Sequence, residues 1–95
     1  MLINKGFSNG DIISLKLING DELIARFENE TPDDVTVERP LAVTVGRDGL
    51  GMMPWVFLGV TNKILLNKSH VFAMVPSQKD AADQYMQGTT GIALR

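Results

Sequence analysis

The residues with the most chemical potential are consecutive, Asn67-Lys68-Ser69-His70, and include the single histidine of the chain. A hydroxyl beside an imidazole suggests an activated nucleophile. Catalysis, however, needs the base within hydrogen-bond reach of the nucleophile and a third group to orient it. Sequence neighbours on a turn do not supply that geometry, and no other nucleophile and base stand at motif spacing. The chain is therefore read as non-enzymatic, with no catalytic residue. His70 has no second histidine, cysteine or carboxylate cluster beside it, so no metal site and no cofactor are expected. Gly46-Arg47-Asp48-Gly49-Leu50-Gly51 resembles a phosphate cradle only in its glycines. No lysine-serine or lysine-threonine follows and no helix begins there, which excludes a P-loop.

Binding chemistry remains. Lys68 offers a charge to a phosphate, with Arg47 and Lys63 as further cations, although an ordinary solvated surface role outweighs that reading for each. Against them stands an acidic stretch, Glu28-Asn29-Glu30-Thr31-Pro32-Asp33-Asp34. The net charge of −2 lacks the basic balance of a protein that lives on phosphate contacts, so any nucleic-acid site must be local. The absence of cysteine rules out a disulfide framework and fits a cytoplasmic protein. Residues 1–6 lack the apolar run of a signal peptide. The longest apolar stretch, Leu50 to Val60, is broken by Gly51, Pro54 and Gly59 and is far short of the roughly 20 residues that span a bilayer. No membrane partner is expected.

The elements that must position these residues are short strands. The 95 residues suit one domain, residues 1–95, with a thin core that oligomerisation would supplement. From Ile12, alternation places Ile13, Leu15 and Leu17 on one face, and Asn19-Gly20 supplies a hairpin turn. A second strand, Glu22 to Glu28, turns Leu23, Ala25 and Phe27 inward. The third is expected from Val35 to Val45, with Pro40 bending it, and Gly46 to Gly51 as a turn. A fourth runs from Trp55 to Leu66, and Trp55, Val56, Phe57, Leu58 and Val60 make it apolar on both faces, as a strand covered on both sides requires. A fifth, His70 to Val75, ends at Pro76. Ser77 can cap a helix over about 77–87 that carries Ala81, Ala82, Tyr85 and Met86 towards the strands. Residues 88–95 form a tail. The expectation is all-β: a small five-stranded barrel over about 11–76 with a short C-terminal helix. A domain this small cannot cover both faces of the fourth strand, so a partner is expected to do so.

Two segments carry a family resemblance. Leu15-Lys16-Leu17-Ile18-Asn19-Gly20-Asp21-Glu22-Leu23-Ile24-Ala25-Arg26-Phe27 resembles the first motif of the Sm-like (LSm) proteins. Leu66-Asn67-Lys68-Ser69-His70-Val71-Phe72-Ala73-Met74-Val75-Pro76-Ser77 is similar to the second, nearest the bacterial Hfq branch, whose last strand also ends in valine-proline-serine. Small Sm-like proteins of tailed cyanophages are nearer still. The resemblance implies an SH3-like barrel and a homo-oligomeric ring of commonly six or seven copies. In that ring the fourth strand of one subunit pairs with the fifth of the next. Trp55, Phe57, Val60, Val71 and Ala73 then fall on the subunit interface.

It also implies single-stranded RNA as a partner, held between the loop after the second strand and the loop before the fifth. Carried onto this chain, those loops supply Asn29 and Asp34, and Asn67, Lys68, Ser69 and His70. The departures are specific. Asp34 replaces the asparagine that reads a base edge, in a loop one residue shorter than the common pattern, and a carboxylate repels phosphate. Ser69 replaces the histidine that follows the lysine. His70 comes one position late, which on a strand would turn it to the opposite face. The arginine-glycine pair of archaeal and eukaryotic members is absent, and the family's N-terminal helix is not expected in this sequence. The leading expectation is a ring that binds single-stranded RNA; the alternative is a structural or protein-binding ring without RNA affinity, and the third in order is a non-ring SH3-like module that binds a peptide at an exposed edge.

Overall fold

The computed structural model describes residues 6–56, 59 and 62–90. Six strands and one helix follow in the order β1 (Ile12–Leu17), β2 (Glu22–Glu30), β3 (Asp34–Gly46), β4 (Gly49–Pro54), β5 (Lys63–Asn67), a 3-10 turn (Lys68–His70), β6 (Val71–Pro76) and α1 (Lys79–Thr90). All pairings are antiparallel. The path runs β4-β3-β2-β1-β6, with β5 also on β3.

The first hairpin forms where alternation and Asn19-Gly20 place it, with Leu15 opposite Leu23 and Lys16 opposite Glu22. Its loop is a three-residue one. Gly20 donates its N–H to the Leu17 carbonyl at 2.9 Å, and Gly20 alone takes a left-handed φ of 99°. The Asn19 side chain accepts from the Asp21 N–H at 3.0 Å and closes the turn.

β3 is the hub. One of its edges pairs with β2, and the other serves two strands in tandem: β5 opposite Asp34–Glu38 and β4 opposite Leu41–Gly46. Between those halves the β2 register slips, because Arg39 and Pro40 are extra residues opposite Ala25. Pro40 has no N–H for a ladder, so the bulge falls here. Arg39 sits at φ 50°, a left-handed conformation that costs a non-glycine residue on the order of 1–2 kcal/mol. Three hydrogen bonds hold the bulge: Arg39 N–H to the Asn62 carbonyl at 2.7 Å, and the Tyr85 hydroxyl shared between the carbonyls of Glu38 at 2.8 Å and Arg39 at 3.1 Å.

The expected fourth strand, Trp55 to Leu66, is corrected by this arrangement, and with it the count of five. The β3 partner begins earlier, at Gly49, and ends at Pro54, after which Trp55 bends out of the ladder. Gly49–Gly51, expected as turn, are paired strand, and the turn shrinks to Arg47-Asp48 between the paired Gly46 and Gly49. The glycine at 51 has a packing reason: a Cβ there would lie 2.9 Å from Thr44 Oγ1. The ladder resumes only at Lys63. Phe57, Leu58 and Val60, on which much of the two-faced apolar reading rested, lie outside the described residues. The final strand starts one residue later than expected, because Lys68–His70 wind into a 3-10 turn.

The core lies on one face of the sheet. Ile13, Leu15, Leu17, Leu23, Ala25, Phe27, Val35, Val37 and Leu66 are all buried in it, with Trp55, Ile64, Val71 and Met74 packed at its margin. The strand covered on both faces is β2. Its Ile24 is buried although it points away from this cluster. α1 packs against β2 and reaches β3 through Tyr85, which is fully buried. Ala81, Ala82 and Met86 are half-buried on the same helix, while Asp83 and Gln84 face solvent. The helix runs Lys79–Thr90 rather than 77–87, so Gly88 does not stop it and residues 88–90 are helix rather than tail, while 91–95 lie outside the described residues. Ser77 is not its cap. Its N–H bonds the Ile12 carbonyl at 3.1 Å and its Oγ meets Ser14 Oγ at 2.8 Å, prolonging the β1–β6 contact instead.

Candidate functional site

The loops after β2 and before β6 converge because β5 lies against the start of β3. Asp34 is directly opposite Asn67, and the Lys68 N–H donates to the Asp33 carbonyl at 2.8 Å. Thr31 shapes the first loop, its hydroxyl accepting from the N–H groups of Asp33 at 3.2 Å and Asp34 at 3.0 Å. Asn67 shapes the second, its side-chain oxygen accepting from Ser69 N–H at 2.9 Å to open the 3-10 turn. Asn29 is exposed on β2, opposite Thr36.

The electrostatics of this end are acidic. Lys68 Nζ lies 3.5 Å from Glu30 Oε2, and Lys63 Nζ lies 3.0 Å from Glu28 Oε2. The Glu28 hydrogen bond and charge push the Lys63 pKa up, so it stays protonated. Both lysines therefore face carboxylates of β2, and Asp33 and Asp34 add two more negative charges. The ammonium expected to hold phosphate is engaged before any phosphate arrives.

His70 departs from its expected placement. The argument from strand alternation does not apply, because residue 70 ends a 3-10 turn. Its carbonyl accepts from Ile18 N–H at 3.0 Å, and it lines a cavity of about 400 Å³ with Ile18, Asn19, Trp55, Leu65 and Asn67. Sequence reasoning missed the part of the first hairpin turn in this wall. Ser69 is exposed. Among the described residues, no group of three histidine, cysteine, aspartate or glutamate side chains is placed to hold a metal ion.

The residues expected at a subunit interface divide. Trp55 is half-buried against the core of its own chain and donates Nε1–H to Asp21 Oδ2 at 3.2 Å, an anchor the sequence did not reveal. Val71 is half-buried at the core margin, and Ala73 is exposed on β6. Phe57 and Val60 lie outside the described residues. β6 pairs only with β1, and β4 and β5 pair only with β3, so each keeps an unpaired edge among the described residues. Those strands carry exposed apolar side chains: Phe72 is 78% exposed, Leu65 66% and Val75 51%.

Among the described residues no helix is long and apolar enough to cross a membrane. Compared with known proteins, the chain matches no family model and no curated sequence.

Proposed function

We propose that this chain is an Sm-like, SH3-like barrel subunit that assembles head to tail into a homo-oligomeric ring and acts there as a structural or protein-binding element of the cytoplasm, without catalysis. The carrying observation is the pair of apolar edges left unpaired among the described residues. A flat apolar edge is a template for uncontrolled pairing unless it is covered. β6, with Phe72 and Val75, and β5, with Leu65, sit at opposite ends of the strand path, with β1, β2 and β3 between them. Joining the β6 edge of one copy to the β5 edge of the next is a heterologous contact that rotation closes into a ring.

A second reading, a ring that binds single-stranded RNA, has one observation in its favour. The two loops that hold a base in the resembling family meet here, with Asp34 opposite Asn67 and Lys68 beside them. The Lys68–Glu30 ion pair and the adjoining carboxylates weigh against it, because phosphate must displace Glu30 and enter a negative field.

Native mass spectrometry in low-salt volatile buffer, with and without short oligo-U and oligo-A, separates the readings. A closed ring that ignores both RNAs is the expected result. A ring that takes up RNA with salt-sensitive affinity moves the function to the second reading. A monomer overturns the ring and favours an edge-binding peptide module.

A further inference from the structure

The bulge of β3 borders a second cavity of about 400 Å³, apart from the converging loops. It lies between the end of β4, the start of β5 and the C-terminal half of α1. Leu41, Met52 and Ile64 contribute apolar walls, and Arg39, Asn62 and Gln84 contribute polar ones. This volume and mixed lining are those of a small-molecule pocket, mostly apolar with a few placed polar groups.

Three independent features converge on Arg39. Its φ of 50° is an outlier for a side-chain-bearing residue, and such strain persists only where the surroundings enforce it, commonly at functional sites. The enforcement is visible: its N–H is tied to Asn62, and its carbonyl shares the buried Tyr85 hydroxyl with that of Glu38. Second, Arg39 is both exposed and a wall residue, which puts a permanent cation where the cavity meets water. Third, that cation has no ion pair among the described residues. The acid next to it, Glu38, is directed to Arg26 Nε at 3.8 Å instead.

We propose that this cavity binds a small carboxylate with an apolar chain, the carboxylate on the Arg39 guanidinium and the chain against Leu41, Met52 and Ile64. The guanidinium fork matches a carboxylate, and the cavity has room for an apolar ligand of about ten heavy atoms.

The test is isothermal titration of the full chain with octanoate and, separately, octan-1-ol, for wild type, Arg39→Gln, Arg39→Lys and Met52→Trp. Circular dichroism of each variant checks its fold. Octanoate is expected to bind wild type more tightly than octanol does. Arg39→Gln should weaken octanoate about ten- to a hundredfold and leave octanol unchanged, as loss of a charged hydrogen bond does. Arg39→Lys should keep most of the affinity, and Met52→Trp should exclude both ligands by filling the cavity. Absence of octanoate binding to wild type overturns the proposal. So does octanoate affinity that is indifferent to Arg39→Gln, which needs no change of shape in the cavity wall.

Discussion

Tyr85→Phe removes one oxygen from the most enclosed aromatic side chain among the described residues, and its effect is calculable. The hydroxyl is donated to the carbonyls of Glu38 and Arg39, at the bulge where β3 passes from one partner strand to the other. Losing such a bond costs about 1 kcal/mol net, rising towards 3 where the carbonyls it served stay dry and unpaired. For a domain of this size, each 1 kcal/mol lowers Tm by roughly 4–8 °C. The same burial pushes the Tyr85 pKa up from 10.0 to about 12. Tyrosine is charged when deprotonated, so the folded state holds the proton more tightly than the unfolded one. The associated stability is fully present below pH 10 and is lost as pH rises towards 12. Linkage puts that loss at about 1 kcal/mol by pH 11 and roughly 2 kcal/mol by pH 12. Phenylalanine has no proton to lose. Urea unfolding followed by far-ultraviolet circular dichroism should therefore show Tyr85→Phe clearly weaker than wild type at pH 7. The gap should narrow above pH 10 and close or reverse by pH 12. Tyr85 is the sole tyrosine, so the difference between the two curves isolates it from the lysines that titrate in the same range. Equal stabilities at pH 7, or a gap that does not change with pH, would refute a buried, hydrogen-bonded hydroxyl at the bulge.

Gly20→Ala should cost about 1 kcal/mol in the same assay. No atom lies within 4 Å of the new methyl, so the whole penalty comes from holding an alanine at φ 99°. Phe72→Glu should leave the monomer fold intact, since the side chain is 78% exposed, yet shift native mass spectra from ring to monomer. Persistence of the ring would place the interface elsewhere. Lys68→Ala should change stability by less than about 1 kcal/mol, because its ion pair with Glu30 is partly exposed. In a gel-shift assay it should leave RNA affinity at background, and a loss of measurable binding would support the RNA reading.

The parts legible in the sequence are those set by neighbours along the chain. Alternation fixed the inward faces of β1 and β2, and Asn19-Gly20 fixed their turn. Pro40 marked the bulge of β3, because the missing N–H is a local property. The fourth strand misled for the complementary reason. Gly49–Gly51 look like turn residues, and only the approach of Thr44 explains a glycine inside a ladder at 51. Likewise, Ser77 has the chemistry of a helix cap, but Ser14 and Ile12, brought alongside by the β1–β6 pairing, engage it first. The convergence of the two loops followed from the order of motifs. The neutralisation of Lys68 did not, because Glu30 reaches it only once β2 and β5 lie on opposite sides of β3. Arg39 carried no sequence signal at all. A residue before proline is ordinarily extended, and its left-handed turn is imposed by Asn62 and Tyr85.

The pairing of β1 with β6 sets an order of events during synthesis. β1 pairs with β2 across a three-residue loop, whereas its other edge waits for Val71–Pro76, which is made only after β2, β3, β4 and β5. A nascent chain that has made β1 through β5 thus shows the ribosome surface an unfinished edge, Ile12–Leu17, as well as the outer edges it keeps. Ladders between distant segments form late because chain closure must precede their reward. Emergence of Val71–Pro76, rather than formation of the first hairpin, becomes the step at which this polypeptide is committed to its own fold instead of a neighbour's strand. Lys16, exposed on β1 opposite Ala73, puts a charge on that waiting edge.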